Sequence, residues 1–511
     1  MVKIFASKDF LVMVNNKICI IGSGAAAYFS VRHLIENIGI HHSQIDIITT
    51  GSIESAEKLY ENQELNAFTS DKKMTGIIPE KLLFGSDKIY SHHQYIKLDT
   101  HFLKYNPKVT SHFGGLTHVW GANLSLLSDS DLNASAELIP LTRYDEGLYA
   151  DFHASGHTTN GRSSRTAKLI YRSNFSNDVG FNNKITNLQK VNLDDDFKIS
   201  FSNLALNISA GVSGCVYCGE CLFGCKKGSI WSSAEAFKKL RKKYTINIIE
   251  KSRVAKIVKH AEKVNVNYIR DGEKHTSSYS RVFLGPGVLD TLDILANSDM
   301  LPKTTNLHDS TKYYTIFFTI KKSDPEFEKN NITLSELTYQ YNTPYGTIHS
   351  QIYPSTMILD DLLKKTRVPH WARKIICTHF KFGMVYLPEG YSDRASIRKS
   401  KEKYAISNFN STFKLKLQRL IYLVMHYFKS LVRFIPLQYI KIPFYYRAPL
   451  LNSQHFGNVR DENNVHINDF LPDNIQSIDS AALRYITGIP TTLLIAANAK
   501  CVIDRVFNNE K

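Results

Sequence analysis

Residues 17–31 read K-I-C-I-I-G-S-G-A-A-A-Y-F-S-V, from Lys17 to Val31. A short apolar run, Ile18 to Ile21, meets Gly22-Ser23-Gly24, and a helix-like apolar pattern continues through Leu34. Strand, tight turn and helix start in that order are the opening of a dinucleotide-binding βαβ unit. Gly22 makes the turn. Gly24 lets the backbone approach a pyrophosphate, whose charge a helix N-terminus stabilises. Ala27 stands at the third glycine position, where close helix–strand packing is all that is required. An ordinary α/β unit also uses glycine turns, so the later segments must decide.

The chain of 511 residues is long enough for two or three domains, or for one large core with an added layer. Its 43% hydrophobic and 22% charged residues describe a globular protein without a disordered tail. A net charge of +16 favours anionic partners, among them acidic lipid headgroups or an anionic substrate. A lysine-rich solvated surface accounts for it equally. No nucleic-acid motif accompanies the charge, and nucleic acid is not an expected partner. Residues 1–14 lack a small-residue cleavage site, and no apolar run reaches the roughly 18 residues of a membrane span. The expectation is a reduced, cytoplasmic setting.

Beyond the first helix, Gln44 to Thr50 is the natural second strand. An acidic residue usually ends that strand and takes ribose hydroxyls. Here Thr49 and Thr50 stand there, with Asp46 in mid-strand. Ser111 to Asn123, S-H-F-G-G-L-T-H-V-W-G-A-N, marks a tight backbone path beside a bulky aromatic. I-N-I-I and V-N-V-N-Y, between Tyr244 and Asp271, predict a hairpin or meander addition. Arg281 to Gly287 reads as a buried strand ending in a glycine turn, and Val288 to Leu295 as the helix it feeds. That is a second strand–glycine–helix junction, as in a nucleotide fold interrupted and resumed. Strand-like pieces within Leu301 to Ser411, such as Tyr314 to Ile320 and Thr347 to Tyr353, predict a second, largely β layer. Lys414 to Arg433 has a helical pattern, apolar with spaced basic residues, that suits either a membrane surface or a core-facing helix.

Cys215, Cys218, Cys221 and Cys225 have the spacing C-x2-C-x2-C-x3-C. Four thiolates so placed can wrap a [4Fe-4S] cluster, although Lys226 stands where proline is usual and no second run exists. Tetrahedral zinc and a compact glycine–cysteine turn beside a flavin are the other readings.

The ordered set G-S-G-A-A-A, F-G-G-L-T-H-V-W-G, C-x-x-C-G-x-C-x-x-G-C with W-S-S, V-F-L-G-P-G, and the C-terminal H-F-G and P-T-T-L-L-I-A-A-N-A resembles the glucose–methanol–choline (GMC) oxidoreductases. The likeness is to bacterial members with a cysteine-rich turn that are linked with polysaccharide synthesis. It implies an α/β (α+β overall) protein: a Rossmann-like FAD-binding domain, split in sequence, with a β-rich substrate domain. The expected boundaries are 1–130, 206–300 and 450–511 for FAD binding, 131–205 for a substrate or cap segment, and 301–449 for substrate. It implies FAD, with the pyrophosphate at Gly22, Ser23, Gly24 and Ala25 and the isoalloxazine near Gly114, Gly115, Thr117, Trp120 and Gly121. Further cofactor contacts fall at Val254, Gly285 and Thr491. Hydride would leave the carbon of a small-molecule or glycan alcohol while His455, in N-S-Q-H-F-G, accepts the hydroxyl proton. The family's second hydrogen-bonding position is Ile489, which can neither donate nor accept. A flavin-binding or assembly subunit without turnover is therefore the alternative. The electron acceptor stays open, and a peripheral contact with the inner membrane face is compatible with the basic helix.

Overall fold

The computed structural model describes residues 17–56, 91–92, 98–99, 108–144, 147–148, 152, 196–207, 214–215, 221, 225, 227–319, 334–335, 337–353, 363–364, 367–400, 403–409, 412–434, 439–441, 446–447 and 456–508. β1 (Ile18–Ile21) is buried along its whole length, as a strand covered on both faces must be. Gly22 turns the chain at φ +107°, a region glycine enters without steric cost. α1 (Ala25–His33) then starts, and Ala25, Ala26, Ala27, Tyr28 and Phe29 all point into the core. β2 (Ile45–Ile48) is again wholly buried. Next in this core come α2 (Ser233–Lys243), β3 (Asn247–Ile249), β4 (Arg281–Leu284) and α3 (Val288–Asn297).

These strands build a five-stranded parallel sheet in the spatial order Ile475–Ser477, β4, β1, β2, β3. The chain leaves β1 toward β2 and β3, then comes back on the other side to β4. That reversal opens a crevice outside the carboxyl ends of β1 and β4. The I-N-I-I segment differs from its sequence reading: Asn247–Ile249 is the edge strand of this parallel sheet. An edge strand is half exposed, so its polar residues imitate the alternation of a hairpin. V-N-V-N-Y does lie in a meander, Ser252–His260, Lys263–Arg270 and Glu273–Tyr279, with Val264 and Val266 inward.

The second large sheet is antiparallel and seven-stranded. Its centre is β5 (Lys312–Thr319), β6 (Leu337–Thr343), β7 (Gly346–Tyr353) and β8 (Phe380–Tyr386). The register pairs Tyr339 with Ser350 and His349 with Tyr386, which fixes the two faces. On one face lies α4 (Phe413–Phe434), whose His426 stacks on Tyr339 at 5.0 Å and meets Ser350 Oγ at 3.2 Å. The opposite face carries Lys312, His349, Gln351, Tyr353 and Tyr386. A further sheet joins Phe456–Asp461, Thr304–Asp309, Arg394–Ser400, Lys403–Phe409 and Leu98–Asp99.

The last helix, α5 (Thr491–Asn508), closes the core against α1. Asp504 pins the two: its Oδ1 lies 2.7 Å from His33 Nε2, and its Oδ2 accepts from Arg143 at 2.9 Å and from the Tyr144 hydroxyl. Burial alone would push this carboxyl up, but the Tyr144 and His33 hydrogen bonds and the Arg143 charge hold it below the usual carboxylate range. A depressed carboxyl contributes stability above its unfolded pKa and loses it as pH falls through the folded value. Asp504→Asn should therefore lower stability at neutral pH by about 1 kcal/mol, discounted for solvent screening. The gap to wild type in urea midpoint should close below about pH 4. A gap unchanged between neutral and acidic pH would refute this role.

Candidate functional site

The crevice is built by backbone approach. Gly22 N donates to Ile48 O and Gly285 N to Ile21 O, both at 2.8 Å, so the turns after β1 and β4 lie side by side. A Cβ at Gly22 would sit 2.4 Å from Gly285 O, which excludes every other residue there without backbone movement. Between these turns opens a cavity of ≈ 360 Å³. Gly22, Ser23, Gly24 and Ala25 line it from one side and Gly115, Thr117 and Trp120 from another, with Val254, Gly285 and Thr491 completing the walls. Gly114 and Gly121 are not among the lining residues. Gly114, at φ +96°, packs against α2, where a Cβ would be 2.9 Å from Ala234 Cβ. A Cβ on Gly121 would be 3.7 Å from the Tyr353 hydroxyl, so this segment lies against the second sheet.

A buried hydrogen-bond knot ties four segments into the wall. Ser23 Oγ accepts from Gly114 N at 3.1 Å and pairs with Thr49 Oγ1 at 2.9 Å. Ser233 Oγ reaches Ser23 O at 2.7 Å and Gly24 O at 3.0 Å. Ser233 N donates to Thr117 Oγ1 at 2.9 Å, and that hydroxyl donates to Gly114 O at 2.6 Å. The knot also accounts for the threonines after β2. Thr49 serves Ser23, and Thr50 Oγ1 donates to Ser111 O at 3.2 Å.

The two glycine turns differ in electrostatics. At α3, Gly287 N donates to Asp479 Oδ2 at 3.0 Å and Thr291 Oγ1 to the same oxygen at 2.7 Å, so a carboxylate already closes that N-terminus. Burial pushes the Asp479 carboxyl up, while these donors pull it back. At α1, no side chain caps the helix, no acidic residue occupies its first turn, and Ala25 and Ala26 line the cavity. A Cβ at Gly24 would meet nothing within 4 Å. The N-terminus of α1 is thus the end available to an anion. Asp290 also lines the cavity, and its buried Oδ1 has no hydrogen-bond partner. Burial, then the charges of Asp293 and Asp479, push its carboxyl up. A hydroxyl donor in the cavity would satisfy that oxygen. Sequence reading missed Asp290 because it searched for the acid after β2 and not on α3.

A second group was also missed. His349, Gln351 and Tyr353 alternate along β7, so all three face the side where Gly121 approaches. The Tyr353 hydroxyl donates to Gln351 Oε1 at 2.6 Å, and Gln351 Nε2 lies 3.4 Å from His349 Nε2. His349 Nδ1 is buried without a hydrogen-bond partner, and burial lowers the imidazole to about 3, so the ring is neutral. Lys312 Nζ lies over the Tyr314 and Tyr386 rings at 5.1 and 6.0 Å. The signal in the sequence was T-I-H-S-Q-I-Y, polar at every second residue of a strand. Gly488 brings the following segment onto the same sheet, where a Cβ would be 2.2 Å from Thr347 O. Ile489 is fully buried and packs in the core.

His455 and Cys218 lie outside the described residues. Cys215, Cys221 and Cys225 are not gathered: among the described residues no group of three or more His, Cys, Asp or Glu is placed to hold a metal ion. The described residues give the metal readings of the cysteine run no support. Cys225 shapes a turn, its Sγ accepting from Ser229 N at 3.2 Å and its carbonyl from Gly228 N at 2.9 Å. That turn leads directly into α2 and the knot.

Together these features define a split dinucleotide-binding α/β fold with a β-rich partner sheet. No protein-family model matches the chain, and no curated protein matches it in sequence. Solved structures do. The pyridoxine 4-oxidase from Mesorbium loti superposes with a TM-score of 0.55 at 12% identity, covering 96% of this chain and 99% of its own. A fungal aryl-alcohol oxidase gives 0.54 at 10% identity, covering 97% and 99%. The formate oxidase of Aspergillus oryzae RIB40 gives 0.58 at 10% identity, covering 97% and 98%. These neighbours are GMC oxidoreductases, and the resemblance read from the sequence motifs holds at the level of fold.

Ser233→Ala removes the donor that holds the Ser23 and Gly24 carbonyls. It should lower unfolding stability by about 1–2 kcal/mol with the fold retained, as read by urea denaturation. An unchanged midpoint would show that the knot is not structural.

Proposed function

We propose that the chain is an FAD-dependent oxidoreductase that oxidises a CH–OH group. The observation that carries this is the contrast between the two helix N-termini. One is closed by Asp479, and the other opens uncapped into the cavity at the switch point of the sheet. Bound FAD would supply the hydride acceptor. Its diphosphate suits the amides at Gly24 to Ala26, and the glycines at 22 and 115 leave the backbone bare for it. Asp290 would accept a hydroxyl of the cofactor in place of the acid missing after β2. Thr491 and Thr492, at the start of α5, present hydroxyls and amide donors to the same cavity. Trp120, whose Nε1 donates to Trp231 O at 2.8 Å, holds the wall rigid.

On the substrate side, His455 is the proposed proton acceptor, on the strength of its motif. His349, held neutral by burial, accepts from Gln351 Nε2 through its Nε2, so its unpartnered Nδ1 carries the proton and offers a donor where Ile489 offers none. The proposed substrate is an alcohol on a sugar or glycan precursor, which the motif resemblance supports. A second reading, a flavin-binding subunit without turnover, is favoured by the burial of Ile489 in the core.

The purified protein should show flavin absorption bands that dithionite bleaches. A colourless protein that gains no bands on adding FAD would sink the proposal. Asp290→Ala should weaken FAD about tenfold in a flavin fluorescence titration, the loss of one buried hydrogen bond. His455→Ala should abolish flavin reduction by alcohols while leaving the flavin bound. Reduction at the wild-type rate would favour the second reading.

A further inference from the structure

α4 is amphipathic in the unexpected sense. The face it turns to the protein carries Arg419, His426 and Ser430 beside Leu423, and Arg419 and His426 are 5% and 0% exposed. Arg419 Nη2 bonds Asp393 Oδ1 at 2.9 Å and its Nε donates to Tyr391 O at 2.6 Å, so the inward cation is satisfied. The face it turns outward carries Phe413, Leu417, Leu420, Ile421, Val424 and Phe428, which are 81%, 46%, 58%, 48%, 44% and 58% exposed. Their spacing is that of a single helical stripe, roughly 22 Å long at the α-helical rise. A run of this size is larger than the scattered apolar residues normal on a monomer's surface.

We propose that this stripe is a docking surface for an anionic lipid bilayer. The charge pattern selects that occupant. Residues 413–434 contain no aspartate or glutamate, and the exposed Lys414 and Lys416 stand on either side of the stripe. The whole chain carries a net charge of +16. A second copy docking through the same stripe would bring the lysines of one α4 toward those of the other, which opposes pairing. An acidic membrane meets both demands at once: acyl chains receive the apolar stripe, and anionic headgroups meet the flanking ammonium groups. Among the described residues no helix is long and apolar enough to cross the bilayer, so the helix lies in its surface plane. The proposal is independent of the flavin reading, since it draws on no residue of the cavity.

Vesicle flotation of the full-length protein tests it. The protein should float with vesicles of phosphatidylcholine containing about one-third phosphatidylglycerol at low salt. It should float at least about tenfold less with phosphatidylcholine alone or in roughly 0.5 M salt. Leu417→Ser/Ile421→Ser/Phe428→Ser should abolish flotation while leaving the circular dichroism and melting temperature unchanged, because the three side chains are exposed. Lys414→Glu/Lys416→Glu should remove the preference for anionic vesicles. Failure of the wild type to float, or flotation of the triple variant, overturns the proposal. So does a concentration-dependent dimer in sedimentation velocity that the triple variant loses, with no vesicle binding, which would assign the stripe to a second copy. A lowered melting temperature of the triple variant without lipid binding would show that the chain covers its own stripe, and also overturns it.

Discussion

The contact between two turns, Gly22 against Gly285, is the constraint from which the rest follows. The carbonyl of Gly285 occupies the volume that a Cβ on Gly22 would need, 2.4 Å away. Parallel strands can be this close at their ends only if neither turn carries a side chain in the gap. The gap closes the crevice on one side and leaves it open on the other, toward α1. Residues far apart in sequence thereby share one wall. The chain between them is free to build meander, partner sheet and helices, provided that it returns β4 to the edge of β1.

The wall is polar inside because it is made of backbone. Where two glycine-rich segments meet, carbonyls and amides have no side chains to shield them, and each must find a partner once buried. Ser23, Thr49, Thr117 and Ser233 are the partners, small hydroxyls that donate and accept in the same volume. This explains why the position after β2 holds threonine. An acid there would bring a charge next to Ser23, where the wall needs a short hydroxyl. The acid has instead appeared on α3 as Asp290, on the same cavity. A carboxyl group thus lines the crevice from α3, while the residues after β2 supply hydroxyls.

Much of the nucleotide core was legible in the sequence, because its signals are local. Ile18–Ile21 followed by G-S-G, and Arg281–Leu284 followed by G-P-G, each announce strand and turn within a few residues. The strands at Lys312–Thr319 and Gly346–Tyr353 were legible for the same reason. The features that were misread depend on partners distant in the chain. Asn247–Ile249 takes its role from β2, and its own three residues cannot say whether a neighbour runs parallel or antiparallel. Asp290 acquires meaning only when α3 is placed beside the first glycine turn. His349, Gln351 and Tyr353 become a set only when the register of β7 shows that they share a face. The cysteine spacing was specific as a pattern, yet a pattern of thiols does not state whether the backbone gathers them, and the described ones are not gathered.

The helix α4 shows the same limit in another form. Its sequence carries an apolar stripe and a polar stripe, and hydropathy alone leaves the apolar one open between the core and a membrane surface. The sheet beneath it turns the apolar stripe away from the core. Tyr339 and Ser350 present an aromatic face and a hydroxyl, and His426 satisfies both at once by stacking and hydrogen bonding. Asp393 and the Tyr391 carbonyl, both beside the end of the sheet, need a cation that Arg419 provides. The polar stripe is therefore drawn inward by specific partners. The apolar stripe faces outward while Arg419, on the opposite face, bonds the buried Asp393 carboxylate. Leaving Asp393 without Arg419 would cost several kcal/mol, on the order of 3–5. Exposing a stripe of leucines and phenylalanines to water costs a comparable amount unless something else covers it. The helix thus resolves the conflict inside the protein and passes the remaining apolar surface to its surroundings.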